Sequence, residues 1–383
     1  MRSFSFGKAR CAAFALAAAL SVPVLFAAAP SAVPVQAAGS FLVAQTQAAV
    51  YEGGPIDLPY RICLPEGYDG EGSYRLVLFL HGAGERGNDN LAPVNANYGF
   101  AESIVRSGKY REDTILLIPQ CPAGMQWVDL PWTTGAYTMS RRMSTALEAA
   151  KGLLDETVNT YAVDASRVYA CGVSMGGMGV WDLLARYPGY FAAAAAICGC
   201  LDESKAELYA QTPVFTAHDP GDTVVGAQPT ARMAAALGEM GAEIVYKTYD
   251  IGARDSTRHS SWIDVFADTS SADNVYDFLF SHTRQTYTVR WTDGDEVVLS
   301  RSYAAGMMAE APETEGVTAW KIGEEQILPG ERFEMPASDV TAEAVRGDNS
   351  GLIVGCCVGG AAVLAGGIAA AMLVRKKKKN KSA

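Results

Sequence analysis

The sequence predicts an α/β fold, an open and mostly parallel sheet with helices on both faces. Three observations predict it. Short, almost wholly apolar runs rich in aromatic and β-branched residues recur between about residues 58 and 283, as strands buried on both faces require. Segments with helical spacing alternate with those runs, the pattern of a layered α/β domain. The stretch CGVSMGGMG, residues 171–179, lies at a junction between one run and one helical segment.

The first strong strand is YRLVLFLH, residues 74–81, followed by TILLIP, residues 114–119. Met143, Leu147, Leu154, Val158 and Tyr161 recur at helical spacing and mark a helix. RVYACG, residues 167–172, is the next strand, and the helix from Met178 is stopped by Pro188. FAAAAAIC (191–198), PVFTAH (213–218) and EIVYKTY (243–249) are further strands. Thr230 to Met240 and Ala272 to His282 are the remaining helices.

The two ends differ from this middle. Residues 1–37 read as a secretory signal, with Arg2, Lys8 and Arg10, an apolar run from Ala12 to Ala29 and a small-residue cleavage site at Val35-Gln-Ala37. Residues 351–374 contain no charged side chain. As a helix they extend roughly 36 Å, enough for a ~30 Å hydrocarbon core. RKKKKNK, residues 375–381, follows, and basic residues stay on the cytoplasmic side. The expected layout is therefore a signal at 1–37, a catalytic domain at 38–284, a small module at 285–347, a transmembrane helix at 348–375 and a cytoplasmic tail at 376–383. The localisation expected is a single-pass cell-membrane protein with its catalytic domain outside.

Between the two ends stand 22 Lys and Arg against 42 Asp and Glu. Such an acidic domain repels phosphate backbones and argues against a nucleic-acid partner. The same part holds five cysteines, Cys63, Cys121, Cys171, Cys198 and Cys200. An odd number leaves at least one thiol free within a chain, and small buried residues is the reading taken for most of them. Their spacing suggests no zinc site, and no metal or organic cofactor is implied.

Gly172-Val-Ser174-Met-Gly176 fits G-x-S-x-G. The motif alone decides little in a chain with 38 glycines. Its context decides more, because Ser174 falls in a strand-to-helix turn, as a nucleophile elbow requires. A serine hydroxyl is a weak nucleophile and needs a base that is itself oriented by a carboxylate. In this kind of fold the order is Ser, acid, His. His218, His259 and His282 follow Ser174. His218 ends a strand, His282 closes a helix, and His259 lies in the polar loop RDSTRHSSW. Ser174, Asp222 and His259 thus stand in the expected order. The glycine-rich loop HGAGERGNDN, residues 81–90, follows the first strong strand and can turn amides towards an oxyanion.

LPYRICLPEGYDG, LVLFLHGAGERGNDN, LLIPQCPAGMQWVD, VYACGVSMGGMGVWDLLARYP and HSSW together resemble the α/β-hydrolase superfamily. The nearer likeness is to secreted carboxylesterases of the phospholipase/carboxylesterase and polyhydroxybutyrate-depolymerase-like group, which includes feruloyl and acetyl esterases. The resemblance implies Ser174 as nucleophile, His259 as general base, and the amides of Ala83 and Met175 as the oxyanion hole. Two departures stand out. The family pattern His-Gly-x-x-Asp is His218-Asp-Pro-Gly-Asp222 here, so Asp222 keeps the acid position with Asp219 as the alternative. A Gly-x-Gly-His turn is replaced by the longer GARDSTRH.

The implied partner is an ester substrate. Residues 201–212 leave little room for a lid, which suits exposed esters such as acyl groups on glycans, or small esters. Trp127, Trp132 and Trp262 lie in loops on the site side and either stack on substrate or pack the core. Residues 285–347 change character: TYTVRWTDGDEVVLSRSY alternates and turns at Asp293-Gly294. This stretch is similar to short β-repeats of bacterial internalin-like surface proteins, and reads as a spacer, with a glycan- or protein-binding role as the alternative. The expected function is a membrane-anchored extracellular serine esterase. The rival readings are a serine peptidase or acyltransferase on the same residues, and a catalytically idle surface adhesion protein.

Overall fold

The computed structural model describes residues 45–96, 99–130 and 135–347. The expected signal and membrane segments and Trp132 lie outside the described residues. Among the described residues no helix is long and apolar enough to cross a membrane.

Eight strands form one sheet: β1 (Gln47–Tyr51), β2 (Leu58–Cys63), β3 (Tyr74–Leu80), β4 (Thr114–Pro119), β5 (Val163–Val173), β6 (Ala193–Ile197), β7 (Val214–His218) and β8 (Ile244–Thr248). Their order is β1-β2-β4-β3-β5-β6-β7-β8. From β4 to β8 every neighbouring pair is parallel, whereas β1 and β2 are antiparallel additions at one edge. All six strands read from apolar runs are present. β1, QAAVY, is mostly exposed with only Tyr51 buried, and pairing with β2 makes it a strand.

Alternation along β3 assigns the two faces. Leu76, Leu78 and Leu80 point into one core, and Val77 and Phe79 into the other. Helices α2 (Thr145–Thr160), α3 (Met175–Arg186) and α4 (Gln228–Glu239) cover the first face. Helices α1 (Phe100–Arg106), α5 (Trp262–Ala267) and α6 (Val275–Ser281) cover the second. Helices α1 and α5, of seven and six residues, are absent from the sequence expectations, whereas α6 falls within the expected 272–282 helix. Helix α2 starts where the Ser144 hydroxyl accepts the Leu147 amide at 3.2 Å, a side-chain cap. Pro188 lies just beyond the end of α3, as expected from its missing donor.

Residues 287–346 fold as the β module. Strands β9 (Tyr287–Asp293), β10 (Glu296–Tyr303), β12 (Val317–Ile322), β13 (Glu325–Ile327) and β15 (Val340–Arg346) form a sheet in the order β10-β9-β15-β12-β13. Strands β11 (Met308–Glu310) and β14 (Arg332–Glu334) pair separately. Trp291 and Trp320 meet edge to face at its centre, 5.2 Å between rings. The β9–β10 hairpin turns at Gly294, with φ +60°. The module is docked onto the sheet domain. Arg301 donates to the carbonyls of Val158, Asn159 and Tyr161 at the end of α2, and the Asn159 side-chain Nδ2 donates to Met308 O at 2.7 Å. This contact lies beside the start of β5. Ser174 lies beyond its other end, about 35 Å away for eleven extended residues.

Candidate active site

Ser174 follows the last residue of β5 and precedes the first of α3. Its φ is +52° and its ψ −119°, a conformation that an L-residue holds only under constraint. The constraint is local. Its N–H donates to Ile197 O at 2.9 Å, and its C=O accepts from Met178 N at 3.0 Å. A side chain at Gly172 would put its Cβ 2.4 Å from Gly176 O, and one at Gly176 would put its Cβ 1.9 Å from Leu80 O. The turn is closed only because both glycines lack that atom. Ser174 itself is partly exposed.

The Ser174 hydroxyl lies 2.7 Å from His259 Nε2, and His259 Nδ1 lies 2.6 Å from Asp222 Oδ2. Asp222 also accepts the Val224 and Val225 amides on Oδ1, at 2.8 and 2.9 Å. Burial works to raise its pKa, but hydrogen bonds from His218, His259 and the Val225 amide outweigh it and hold the group well below the usual carboxylate range. An ionised carboxylate only accepts. His259 therefore donates from Nδ1 to Asp222 and keeps Nε2 as acceptor for the serine proton.

His218 bonds Asp222, Val225 and Thr230, not Ser174. It is fully buried, with Nε2 3.2 Å from Asp222 Oδ2 and 3.0 Å from Val225 O. Nδ1 lies 3.2 Å from the Thr230 hydroxyl. It meets the same Asp222 oxygen that accepts from His259 and so helps fix that carboxylate. Its place four residues before Asp222 was the available sequence signal. Asp219, the alternative acid, does not reach His259 and binds Arg258 instead. His282 donates from Nδ1 to Phe278 O at 2.6 Å and meets Glu243 through Nε2 at 2.9 Å, so it takes no part in the Ser174–His259–Asp222 contacts.

Leu80 of β3 sits opposite Gly172 of β5, so the loops leaving both strands start at one level. Ala83 opens a short 3-10 turn, Ala83–Glu85, and Met175 opens α3. First-turn amides have no carbonyl within their own helix, which leaves both available to an anion. His81 supports this loop from beneath. It is buried, accepts the Cys121 amide on Nε2 at 2.9 Å and donates from Nδ1 to Gly82 O at 2.6 Å. Burial, with a smaller contribution from Arg86, pulls its pKa down to about 4 against the opposing Gly82 bond.

The tryptophans separate. Trp127 is corrected from substrate contact to core: it is fully buried, its indole N–H donates to His81 O at 3.0 Å, and its ring packs edge-on to His81. Its large apolar ring gains more from burial than a loop position suggests. Trp262 is half-buried and stands edge-on to His259, 5.4 Å between rings. The five cysteines are all free and buried.

The family model "Esterase: Putative esterase" matches residues 52–302. No curated protein matches the chain. Among solved structures, a thermostable esterase is 29% identical, with 64% of this chain and 64% of its own covered and a TM-score of 0.56. The chain therefore spans just under two thirds of that esterase's length. A feruloyl esterase module from Clostridium thermocellum complexed with sinapinate is 13% identical, covering 58% of this chain and 85% of its own, with a TM-score of 0.42. A ferulic acid esterase is 19% identical, covering 57% and 94%, also at 0.42. Matched by its model over more than half its length and built on an α/β-hydrolase-like mixed sheet, the chain belongs to the Esterase family.

Proposed function

We propose that the protein is a membrane-anchored extracellular serine esterase, hydrolysing carboxylic esters through Ser174, His259 and Asp222. The single observation that carries this reading is the unbroken hydrogen-bond chain from Ser174 Oγ through His259 to Asp222, at 2.7 and 2.6 Å. In the proposed reaction His259 Nε2 takes the Ser174 proton as Oγ attacks the ester carbonyl. The tetrahedral oxyanion is held by the Ala83 and Met175 amides, each worth about 3 kcal/mol when well aimed. His259 then returns the proton to the leaving alcohol. Water, activated by the same imidazole, releases the acid from the acyl-serine. Asp222 stays ionised and holds the imidazole in the right tautomer.

The substrate proposed is an accessible acyl ester, such as an acyl group on a glycan, with Trp262 beside His259 as the stacking surface. The docking of the β module at the far end of β5 from Ser174 supports an orientation with the catalytic mouth turned away from a membrane anchor. Wild-type protein and Ser174→Ala are assayed on short chromogenic esters and on acetylated and feruloylated glycans. The expected result is wild-type cleavage and a loss on the order of 10⁴ to 10⁶ in the variant. Equal rates in both, or cleavage of peptide amides in place of esters, defeats the reading. Protease treatment of intact cells releases or destroys the activity if the domain is outside; protected activity defeats that part.

A further inference from the structure

The loop that carries Asp222 holds a second carboxylate that the hydrogen-bond chain leaves unused. Asp219 is fully buried, and both its oxygens are occupied. Oδ1 accepts the Gly221 amide and Oδ2 the Ile251 amide, each at 2.7 Å. The Arg258 guanidinium reaches both oxygens, with Nε at 3.0 and 3.1 Å and Nη2 at 2.7 Å from Oδ1. Nη2 also bonds Asp250 at 2.8 Å. Burial alone would raise the Asp219 pKa, yet these donors hold it below its usual range.

Arg258 immediately precedes His259, and its φ is +58°. That left-handed backbone is one a long L-side chain avoids unless something holds it. The turn is closed on one side by Arg258 N donating to Asp255 O at 2.9 Å and His259 N to Asp255 Oδ2 at 3.1 Å, and the fork onto Asp219 fixes the side chain on the other. The guanidinium lies over Gly221, where a Cβ would stand 2.5 Å from Nε. Asp222 N donates to Asp219 O at 3.0 Å and closes the acid loop on itself, while Thr223 N and its hydroxyl donate across to Thr257 O at 2.9 and 3.0 Å, opposite the Arg258–Asp219 contact. The acid loop and the histidine loop are therefore laced together on both sides of the Asp222–His259 bond. Asp219 and the long turn before His259, the two departures from the family pattern, are two ends of one contact.

We propose that Asp219 and Arg258 form a positioning pair that sets the pose of His259, an inference that rests on the esterase reading. A bidentate guanidinium–carboxylate pair fixes direction as well as distance. Fixing the residue before the base fixes where the imidazole points. Misplacing a catalytic group by about 1 Å can cost roughly 100-fold in rate.

The full-length protein is compared with Arg258→Gly, Asp219→Asn and the double variant. Glycine accepts the left-handed backbone, so Arg258→Gly removes the fork while keeping the turn foldable. Two readouts are taken: kcat and KM on an ester that wild type cleaves, and the deshielded proton resonance of His259 Nδ1–H. The expected result is a roughly 10-fold to 100-fold loss of kcat in each single variant with KM unchanged. The double variant is no worse than the poorer single, the proton signal weakens in all three, and added guanidinium ion restores part of the turnover of Arg258→Gly. Wild-type kcat and an intact proton signal in Arg258→Gly overturn the proposal, as do losses that multiply in the double variant. If wild type cleaves no ester, the esterase reading fails by itself, and the proton signal still decides the pair.

Discussion

His81 shows how one buried residue links the loop after β3 to pH. Its ordinary pKa is 6.5 and its folded value about 4. Between those values the unfolded chain binds more protons than the folded one, so stability falls as pH falls. It is fully present above 6.5, and about 3 kcal/mol of it is gone by pH 4. Urea unfolding of wild type at pH 7 and at pH 4.5 is expected to show this decline, with a flatter dependence in His81→Asn. Equal slopes in the two proteins would exclude His81 as the source. The identity of the acid also belongs to this scale. Asp222 and Asp219 are three residues apart and both buried. The local pattern His218-x-x-x-Asp222 favours Asp222 but leaves Asp219 open, because the contact that separates them spans 37 residues.

The strand–turn–helix element around Ser174 depends on backbone approaching backbone. At Gly176 an added Cβ meets the carbonyl of a central strand at 1.9 Å, and that strand cannot move aside. Gly176→Ala is expected to destabilise by more than about 4 kcal/mol, or to prevent folding, by thermal unfolding or soluble yield. Gly238, near the end of α4, has nothing within 4 Å. Gly238→Ala should therefore raise stability by up to about 1 kcal/mol, the helix-propensity difference. If both substitutions had equal effects, close approach would not be what the glycine in the turn provides. The elbow was legible from the sequence because its requirements are local: an apolar run, small residues and a helical segment in succession. Trp127 was not, because its loop position is local and its burial under His81 is not.

Across the whole molecule, the β module and the sheet domain share a continuous apolar core and meet at Arg301. The guanidinium closes the carbonyl end of α2, where cations are favoured. Arg301→Ala is expected to cost on the order of 2 to 4 kcal/mol, since hydrogen bonds to a charged group are worth about 1.5 to 3 each and are not additive. Hydrogen exchange should quicken at residues 158–161 and along β10, while ester turnover stays at the wild-type value because the contact lies at the far end of β5. Unchanged exchange would mean that the module is held chiefly by its apolar contacts.

The sequence by itself determined the fold class, the six parallel strands, the elbow and the order Ser174, Asp222, His259. Periodicity, glycine placement and residue chemistry act over a few neighbours and can be read along a line. Tertiary structure alone decided the antiparallel edge formed by β1 and β2, the exclusion of Asp219 as the partner of His259, the support from His218, and the fork between Asp219 and Arg258. Each of these is a contact between segments distant in the chain or a choice between near-equivalent groups. Such contacts exist only once the sheet has brought its loops to one end.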